Sequence, residues 1–288
     1  MKSYLEHYEI VEEMISVGKK KAGKKWHQTI LFAFLAGMFI ALGAQASVFA
    51  SHGISDTGVA KTVAGTVFPI GLIFILIIGG ELFTGNCLLI MAVMDKKIKG
   101  KQMVKNLCLV FLGNLLGSLF IVLLNAGSGQ FNTSHGLLAA YTIKTAVTKT
   151  HITPVAGLLS GILCNILVCF CVLLATCAKD VTGKILAVFI PIYVFVISGF
   201  EHCVANMYYL FAGIMAAKNP EYVALAVEKY GLSQEKIDSL TVASTMNNFI
   251  PVTLGNIIGG VVVVGMLYYY LNKKKKDDSC YLASLGEE

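Results

Sequence analysis

The sequence SGFEHCVAN, residues 198–206, places a glutamate and a histidine side by side within a long apolar run. Ionisable groups at membrane depth are costly, and by default they mark a path for ions, protons or substrate. The same E-x-x-x-x-N pattern occurs in ELFTGN, residues 81–86, also within an apolar run. The two segments therefore predict a pair of related polar sites inside a membrane.

A second repeated motif supports an internal duplication. LGNLLG, residues 112–117, recurs as LGNIIG, residues 254–259. When the sequence is aligned with itself so that the two E-x-x-x-x-N segments coincide, Gly37 also falls on Gly157. The two LGN motifs are further apart than these segments, which fits one longer loop in the second half. We interpret the chain as two diverged copies of one membrane unit, each with an interrupted span.

The composition is that of a protein with several membrane spans, because 56% of its residues are hydrophobic and only 14% are charged. A span needs roughly 20 apolar residues. The candidate spans are 29–49, 63–94, 104–125, 153–178, 185–217 and 249–271. The second and fifth are too long for one straight helix, and an odd number of spans per copy reverses the second copy. The sequence therefore predicts an all-α membrane protein with six transmembrane helices, built as two inverted three-helix repeats with broken second and fifth helices.

The polar ends suggest a simple domain organisation. We predict a cytoplasmic amphipathic helix in 1–25, a transmembrane channel domain in 26–272 and a cytoplasmic tail in 273–288. The two repeats would cover about 26–126 and 150–272. The N-terminal helix is interpreted as lying on the membrane interface with its lysines at the lipid head groups, and the alternative is a pore gate.

All basic residues are lysines, and most of them lie in the two termini and in the loops 95–105 and 179–184. The positive-inside rule therefore places both termini in the cytoplasm and the protein in the cytoplasmic (inner) cell membrane as a multi-pass protein. The net charge of +6 is explained by this orientation, so we expect no nucleic-acid partner. The start is polar, which predicts that no cleavable signal peptide precedes the first span.

Motifs of the common hydrolases, metalloproteases, phosphate-binding loops and c-type haem proteins are not found in the sequence. The eight cysteines lack metal-ligand spacing and are interpreted as small packing residues. We therefore expect neither enzyme activity nor a cofactor or metal. Inverted repeats with broken spans indicate a channel or transporter with its site near the bilayer midplane. The alternative from another class is a non-transporting membrane redox or scaffold subunit.

Polar residues at the two breaks are the candidate functional groups. Irregular backbone at this depth is tolerated only when it is buried in protein or lines a cavity. We expect Glu81 and Glu201 to bind the free N–H groups at the starts of the half-helices, and Thr84 to cap the first of them. His202 is predicted to be functional because it follows a break and adjoins a glutamate, and the alternative is a hydrogen-bonded core histidine.

At these residues the chain resembles the formate–nitrite transporter family. The likeness is carried by ELFTGN, the region of Lys149, SGFEHCVANM (198–207) and NNFIPVTLGNIIGG (247–260), and it extends over about 4–271. It implies an aquaporin-like fold and a homopentamer in the lipid bilayer, with one pore in each protomer. It also implies transport of small monovalent weak-acid anions and protons.

The resemblance also implies a role for each matching position. Lys149 would attract the anion, and His202 would be the central pore histidine, bonded to Thr84 and also to Asn165. The pore and substrate positions are Thr84, Lys149, Asn165, His202 and Asn248. Phe68 and Leu72 would lie on the loop that breaks the second span and, with Phe195, would form the cytoplasmic constriction. Leu82 and Phe83 would line the central and outer narrowing. The structural residues at the breaks are Glu81, Asn86, Glu201 and Asn206.

Within the family, ELFTGN together with SGFEHCVANMYYL (198–210) is most similar to the hydrosulfide branch, and formate or nitrite is the alternative substrate. Gly85 and Asn86 follow the pore threonine here, where formate channels have serine or threonine after it. In the expected mechanism apolar constrictions exclude a bare charge, and His202 or water beside it supplies a proton. The alternative is a true anion channel in which His202 is a neutral hydrogen-bond donor.

Overall fold

The computed structural model describes residues 4–273, and these residues are almost entirely helical. The first half of the chain contains α1 (His7–Ala22), α2 (Trp26–Ser51), α3 (Thr57–Val67), α4 (Ile70–Ile77), α5 (Phe83–Met94) and α6 (Gly100–Gly127). The second contains α7 (Leu137–Thr150), α8 (Pro154–Cys177), α9 (Val181–Ser198), α10 (Cys203–Ala216), α11 (Pro220–Tyr230), α12 (Gln234–Asp238) and α13 (Met246–Asn272). Six helical units are long and apolar enough to cross a membrane: α2, α3 with α4, α6, α8, α9 and α13. The predicted six-span, all-α architecture is confirmed.

The second and fifth spans are broken, as predicted. The second span stops at Ile77 and resumes at Phe83, and Gly79 lies in this break with a φ of +113°. The fifth stops at Ser198, where Gly199 has a φ of +70°. Both glycines adopt backbone conformations that other residues rarely tolerate, so the breaks depend on them.

The expectation that Phe68 and Leu72 lie on the loop that breaks the second span is wrong. Pro69 causes only a short irregularity between α3 and α4, and the N–H of Phe68 still bonds Ala64 O at 3.1 Å. Leu72 lies inside α4. Proline removes one donor and restricts its predecessor, which accounts for the short turn at Phe68 and Pro69, whereas the chain leaves the helical path only at 78–82.

Glycines of the repeated LGN motifs allow close helix packing in both halves. A methyl group added to Gly117 would collide with Phe34 O on α2, and one added to Gly259 would collide with Ile162 O on α8. Small residues of this kind let backbones approach within a membrane. The pair α2–α6 in the first repeat therefore corresponds to α8–α13 in the second.

Helix α1 packs on protein, so its apolar face is not buried in lipid as its interpretation as an interfacial helix would require. Its apolar face contains Ile10, Val11, Met14 and Ile15, which are buried. That face contacts a cluster formed by Leu88, Met91, Cys169, Leu173 and Val264. An amphipathic helix buries its apolar stripe wherever apolar surface is available. Here α5, α8 and α13 provide that surface.

An ion-pair cluster ties the start of the chain to the end of α13. Lys273 Nζ lies 2.6 Å from Glu12 Oε1 and 3.1 Å from Asp95 Oδ1. Partial burial works against the charged amine, but the two carboxylates together outweigh it and raise the pKa of Lys273 above its ordinary value. Lys273 therefore stays charged at neutral pH. The rest of the tail expected at 273–288 lies outside the described residues.

The longer loop of the second half lies between α10 and α13 and contains α11 and α12. Helix α11 packs against α7. This contact supports α7, which carries Lys149 in its last turn.

Candidate functional site

A buried polar network forms at the first break. The Glu81 side chain is fully buried, with its Oε1 2.6 Å from Lys24 Nζ and its Oε2 3.1 Å from Lys21 Nζ. Asn86 Nδ2 donates to Glu81 Oε2 at 2.7 Å and to Asn106 Oδ1 at 2.8 Å. Lys21 also donates to Asn86 Oδ1 at 2.6 Å. The buried carboxylate therefore has counter-charges and hydrogen bonds, as a charge in an apolar interior requires.

The second break holds a related network, in which one lysine instead of two binds the glutamate. Glu201 Oε1 lies 2.8 Å from Lys149 Nζ. Asn206 Nδ2 donates to Glu201 Oε2 at 2.6 Å and to Asn248 Oδ1 at 2.7 Å, and Asn248 Nδ2 donates to Glu201 Oε2 at 3.1 Å. Asn248, expected at a pore-side position, is thus a fully buried member of this network. The amide pair Asn206 and Asn248 corresponds to Asn86 and Asn106 of the first network.

The half-helix starts are held by two asparagines that were not singled out from the sequence. Phe83 N–H donates to Asn114 Oδ1 at 3.0 Å, and Asn114 Nδ2 donates to Glu81 O at 2.9 Å. In the second repeat Cys203 N–H donates to Asn256 Oδ1 at 2.9 Å. These are the asparagines of LGNLLG and LGNIIG, so the repeated motif was the signal that could have identified them.

The expectation that the carboxylates of Glu81 and Glu201 bind the free helix N–H groups is therefore wrong. An amide side chain can accept from an N–H and donate to a carbonyl at the same time, which suits a break where both kinds of group are exposed. A carboxylate only accepts, and in an apolar interior it also needs a cation. The glutamates accordingly bind lysines and asparagine side chains.

His202 and Thr84 meet at the centre of the protomer. His202 Nε2 lies 3.0 Å from Thr84 Oγ1, and both side chains are buried. His202 Nδ1 accepts a hydrogen bond of 3.1 Å from the N–H of Ala205, so His202 is the N-cap of α10. Because a backbone N–H can only donate, the neutral ring carries its hydrogen on Nε2 and donates it to Thr84. The hydroxyl hydrogen of Thr84 remains for another acceptor.

Two expected contacts of this pair differ from the structure. Thr84 does not cap α5, because it lies inside the first turn and its hydroxyl binds His202. Asn165 is not a partner of His202, because its Nδ2 donates to the backbone carbonyls of Asn256 at 2.6 Å and of Thr84 at 3.3 Å. Asn165 therefore positions the break that carries Thr84.

Two cavities approach this centre from opposite sides. We name the cavities outer and inner after the predicted orientation of the chain. The outer cavity, about 190 Å³, is lined among others by Lys61, Phe68, Lys149, Phe195, His202 and Tyr209. The inner cavity, about 300 Å³, is lined among others by Met14, Lys21, Lys24, Leu72, Glu81 and Leu82. The two glutamate networks thus lie beside opposite cavities, which confirms the predicted inverted repeat.

These cavities correct the expected grouping of the constriction residues. Phe68 and Phe195 line the outer cavity, with ring centroids 5.3 Å apart. Leu72 lines the inner cavity, so these three residues do not form one cytoplasmic constriction as expected. Leu82 lines the inner cavity beside Leu72, although it was expected at the outer narrowing. Phe68 and Leu72 lie on the same span but line different cavities, and Leu82 shares the cavity of Leu72. Phe83 lines neither cavity and packs on Phe111 with ring centroids 5.2 Å apart.

Lys21, Lys24 and Lys61 are site residues that sequence reasoning missed. The first two were interpreted as head-group lysines, and only the packing of α1 brings them to Glu81. The geometry offers a small polar solute two lysine-bearing cavities, separated by apolar side chains and a histidine–threonine pair. No group of three or more metal-ligating side chains occurs among residues 4–273.

Comparisons with known proteins agree with this geometry. The family model described as "Formate/nitrite transporter" matches residues 8–270. The formate channel FocA of Haemophilus influenzae is 39% identical over 251 residues, which cover 84% of this chain and 86% of that protein. A solved structure described as "Pentameric formate channel with formate bound" has a TM-score of 0.76 and 34% identity, over 86% of this chain and 98% of that chain. Another, described as "FNT family ion channel", has a TM-score of 0.77 and 28% identity, over 91% and 98% of the two chains.

Proposed function

The chain belongs to the formate/nitrite transporter family, and from this premise we propose that it is a channel for small monovalent weak-acid anions, with formate as the main substrate. As a multi-pass membrane protein of a transport family, it is not an enzyme. The relative and one solved structure described above are named for formate. These names support the formate alternative and give no support to the hydrosulfide branch.

The observation that carries this proposal is the His202–Thr84 contact between two cavities. A solute that crosses the protomer from the outer to the inner cavity must pass Phe68 and Phe195, then the hydrogen-bonded pair, then Leu72 and Leu82. Aromatic and aliphatic walls exclude water and penalise a bare charge. The free hydroxyl hydrogen of Thr84 is a donor suited to an oxygen atom of the passing species.

Lysines at both cavities supply the attraction for an anion. Lys149 lines the outer cavity, and Lys21 and Lys24 line the inner cavity. Walls of low dielectric strengthen such fields. Because the two inner lysines lie on α1 and on the turn after it, the docking of α1 also controls access to the inner cavity, which favours its interpretation as a gate.

The hydrogen bonds of His202 favour the mechanism in which it stays neutral. Its Nδ1 already accepts from Ala205 N–H, so protonation of that atom would break the helix cap. Its Nε2–H is donated to Thr84, and loss of that hydrogen would leave an imidazolate in an apolar site. We therefore propose that His202 orients Thr84, and that a proton taken up by a weak acid comes from water in the lysine-lined cavities.

The family and the charge distribution also support an oligomeric state and an orientation in the membrane. We propose a homopentamer in the cytoplasmic membrane, with one pore in each protomer and both termini in the cytoplasm. Support comes from the similar solved structure that is described as a pentameric channel, and from the lysines of the termini and of the loops 95–105 and 179–184.

The test is the flux of purified wild-type protein in liposomes, with formate, nitrite, hydrosulfide and chloride compared under one driving force. The proposal predicts fast formate flux and much slower chloride flux. If the protein were a redox or scaffold subunit, the flux of all four anions would be no faster than the leak into vesicles without protein. Hydrosulfide flux far above formate flux would overturn formate as the main substrate, but the protein would still be an anion channel.

A further inference from the structure

Each of the two cavities has two lysines and one glutamate beside it, but the ion pairs between these residues differ. Lys21 and Lys24 face one glutamate, Glu81, beside the inner cavity. Two lysines, Lys61 and Lys149, line the outer cavity, and one of them bonds a single glutamate, Glu201. Each side therefore has two ammonium groups for one carboxylate. The excess positive charge on the outer side must reside on whichever lysine is not paired.

Lys149 is the paired lysine. Its Nζ lies 2.8 Å from Glu201 Oε1 and 5.1 Å from the centroid of the Tyr209 ring, and its side chain is 15% exposed. The field of an ion pair falls faster with distance than that of a single charge, because the two opposite charges largely cancel. Lys149 therefore attracts an anion at short range but contributes little at the mouth of the cavity.

Lys61 is the unpaired lysine. It is an exposed residue of α3, and among residues 4–273 no carboxylate lies within ion-pair distance of its Nζ. Its ammonium lies over Gly199 in the second break, where an added methyl group would be only 2.5 Å from Nζ. The glycine that allows the break therefore also leaves room for this charge beside the outer cavity.

The amides of the two networks show the same difference. Asn86 Oδ1 accepts a hydrogen bond of 2.6 Å from Lys21, the second lysine of the inner network. The corresponding Asn206 Oδ1 has no hydrogen-bond partner within the described part of the chain. The second inner lysine is thus held inside its network, whereas the second outer lysine stands outside its network at the cavity wall.

We propose that Lys61 is the residue that captures small monovalent anions at the outer mouth and passes them to Lys149. This inference rests on the proposed channel function and adds a second, unpaired cation to its outer vestibule. A single charge beside a cavity with apolar walls raises the local concentration of anions. The competing role for Lys61 is to stabilise the carboxyl end of α9 through the helix dipole, which would affect folding but not anion capture.

The test measures initial formate uptake from the outer side at several concentrations, in about 10 mM and about 200 mM ionic strength. We expect Lys61→Met to raise the half-saturating formate concentration roughly threefold at low ionic strength, with an almost unchanged maximal rate. The effect should shrink at high ionic strength, because the Debye length falls from about 30 Å at 0.01 M to under 10 Å. Lys61→Arg, which keeps the charge, should behave as wild type.

The matched control is Lys144→Met. Lys144 is also on the outer side, but its Nζ lies over the rings of Tyr141 and Tyr230 and does not line the cavity. Equal half-saturating concentrations for the Lys61→Met and Lys144→Met proteins at low ionic strength would overturn the proposal. So would a lower melting temperature of Lys61→Met with unchanged uptake kinetics. A wild-type protein without formate flux would instead refute the channel function itself.

Discussion

His202 and Thr84 show how single hydrogen bonds restrict a mechanism at the scale of the residue. The presence of a functional histidine at a break could be predicted from the sequence, because a histidine beside a glutamate at membrane depth is costly without a role. Its tautomer could not, since that depends on the N–H of Ala205 and the hydroxyl of Thr84 in three dimensions. The neutral ring proposed above has a direct consequence for pH dependence.

We predict that His202→Asn keeps the shape of the pH profile of formate flux while the rate falls. The asparagine Oδ1 can still accept from Ala205 N–H, so the start of α10 is retained, but the shorter side chain no longer reaches Thr84. Flux in liposomes from pH 5 to pH 8 measures both effects. Loss of the pH-dependent component from a stable His202→Asn protein would instead identify His202 as the proton donor.

Lys149 was expected from the resemblance to attract the anion, and the structure adds that it neutralises a buried carboxylate. We predict that Lys149→Met destabilises the protein by about 3–5 kcal/mol, because it leaves Glu201 charged and unpaired. The double variant Lys149→Met with Glu201→Gln should recover most of that loss. Thermal unfolding in one mild detergent measures all three proteins. Additive losses in the double variant would mean that the two side chains are not coupled.

At the scale of the element, α1 was predicted as an amphipathic helix but its partner was not. The period of its apolar residues fixes which face is buried, whereas the choice between lipid and protein depends on Leu88, Met91 and Val264, which are distant in sequence. The same holds for Lys21 and Lys24, whose contact with Glu81 exists only because α1 docks beneath the first break.

We predict that Gly18→Val displaces α1 and opens the inner cavity. Even one methyl group on Gly18 would lie 2.8 Å from Ala92 Cβ, so a larger side chain cannot fit beneath α5. Hydrogen exchange of the α1 amides should become roughly tenfold faster, because local opening of the helix sets their exchange rate. The control is Gly23→Ala, where the added Cβ would be 3.4 Å from its nearest neighbour, Lys19 O. Equal exchange in both variants would show that α1 is not held by this contact.

At the scale of the whole molecule, the duplication could be predicted from the sequence because two motifs occur twice with the same polar residues. Six spans and two breaks followed from length and composition, and the structure has them. The sides of the apolar narrowing did not follow, since Phe68 and Leu72 are close in sequence yet line opposite cavities. The position of a residue in the sequence shows how deep it lies in the membrane only when the position of the break in its span is known.

The proposed assembly gives a prediction for the same scale. We predict a pentamer in native mass spectrometry from mild detergent, because the chain shares its fold with a solved channel that is described as pentameric. Each protomer contains both glutamate networks and both cavities within one chain, so conduction does not require the central axis. A tetramer or monomer as the main species would contradict the assembly while leaving the pore of the single chain intact.

The most direct test of the pore within each protomer is the ratio of chloride to formate flux in liposomes for Phe68→Ala and Phe83→Ala. Phe68 lines the outer cavity and contacts Phe195, whereas Phe83 is also buried but packs on Phe111 and lines neither cavity. A pore through the protomer predicts that the ratio rises several-fold in Phe68→Ala and stays at the wild-type value in Phe83→Ala. A wild-type ratio in both variants would contradict a path past Phe68 and His202.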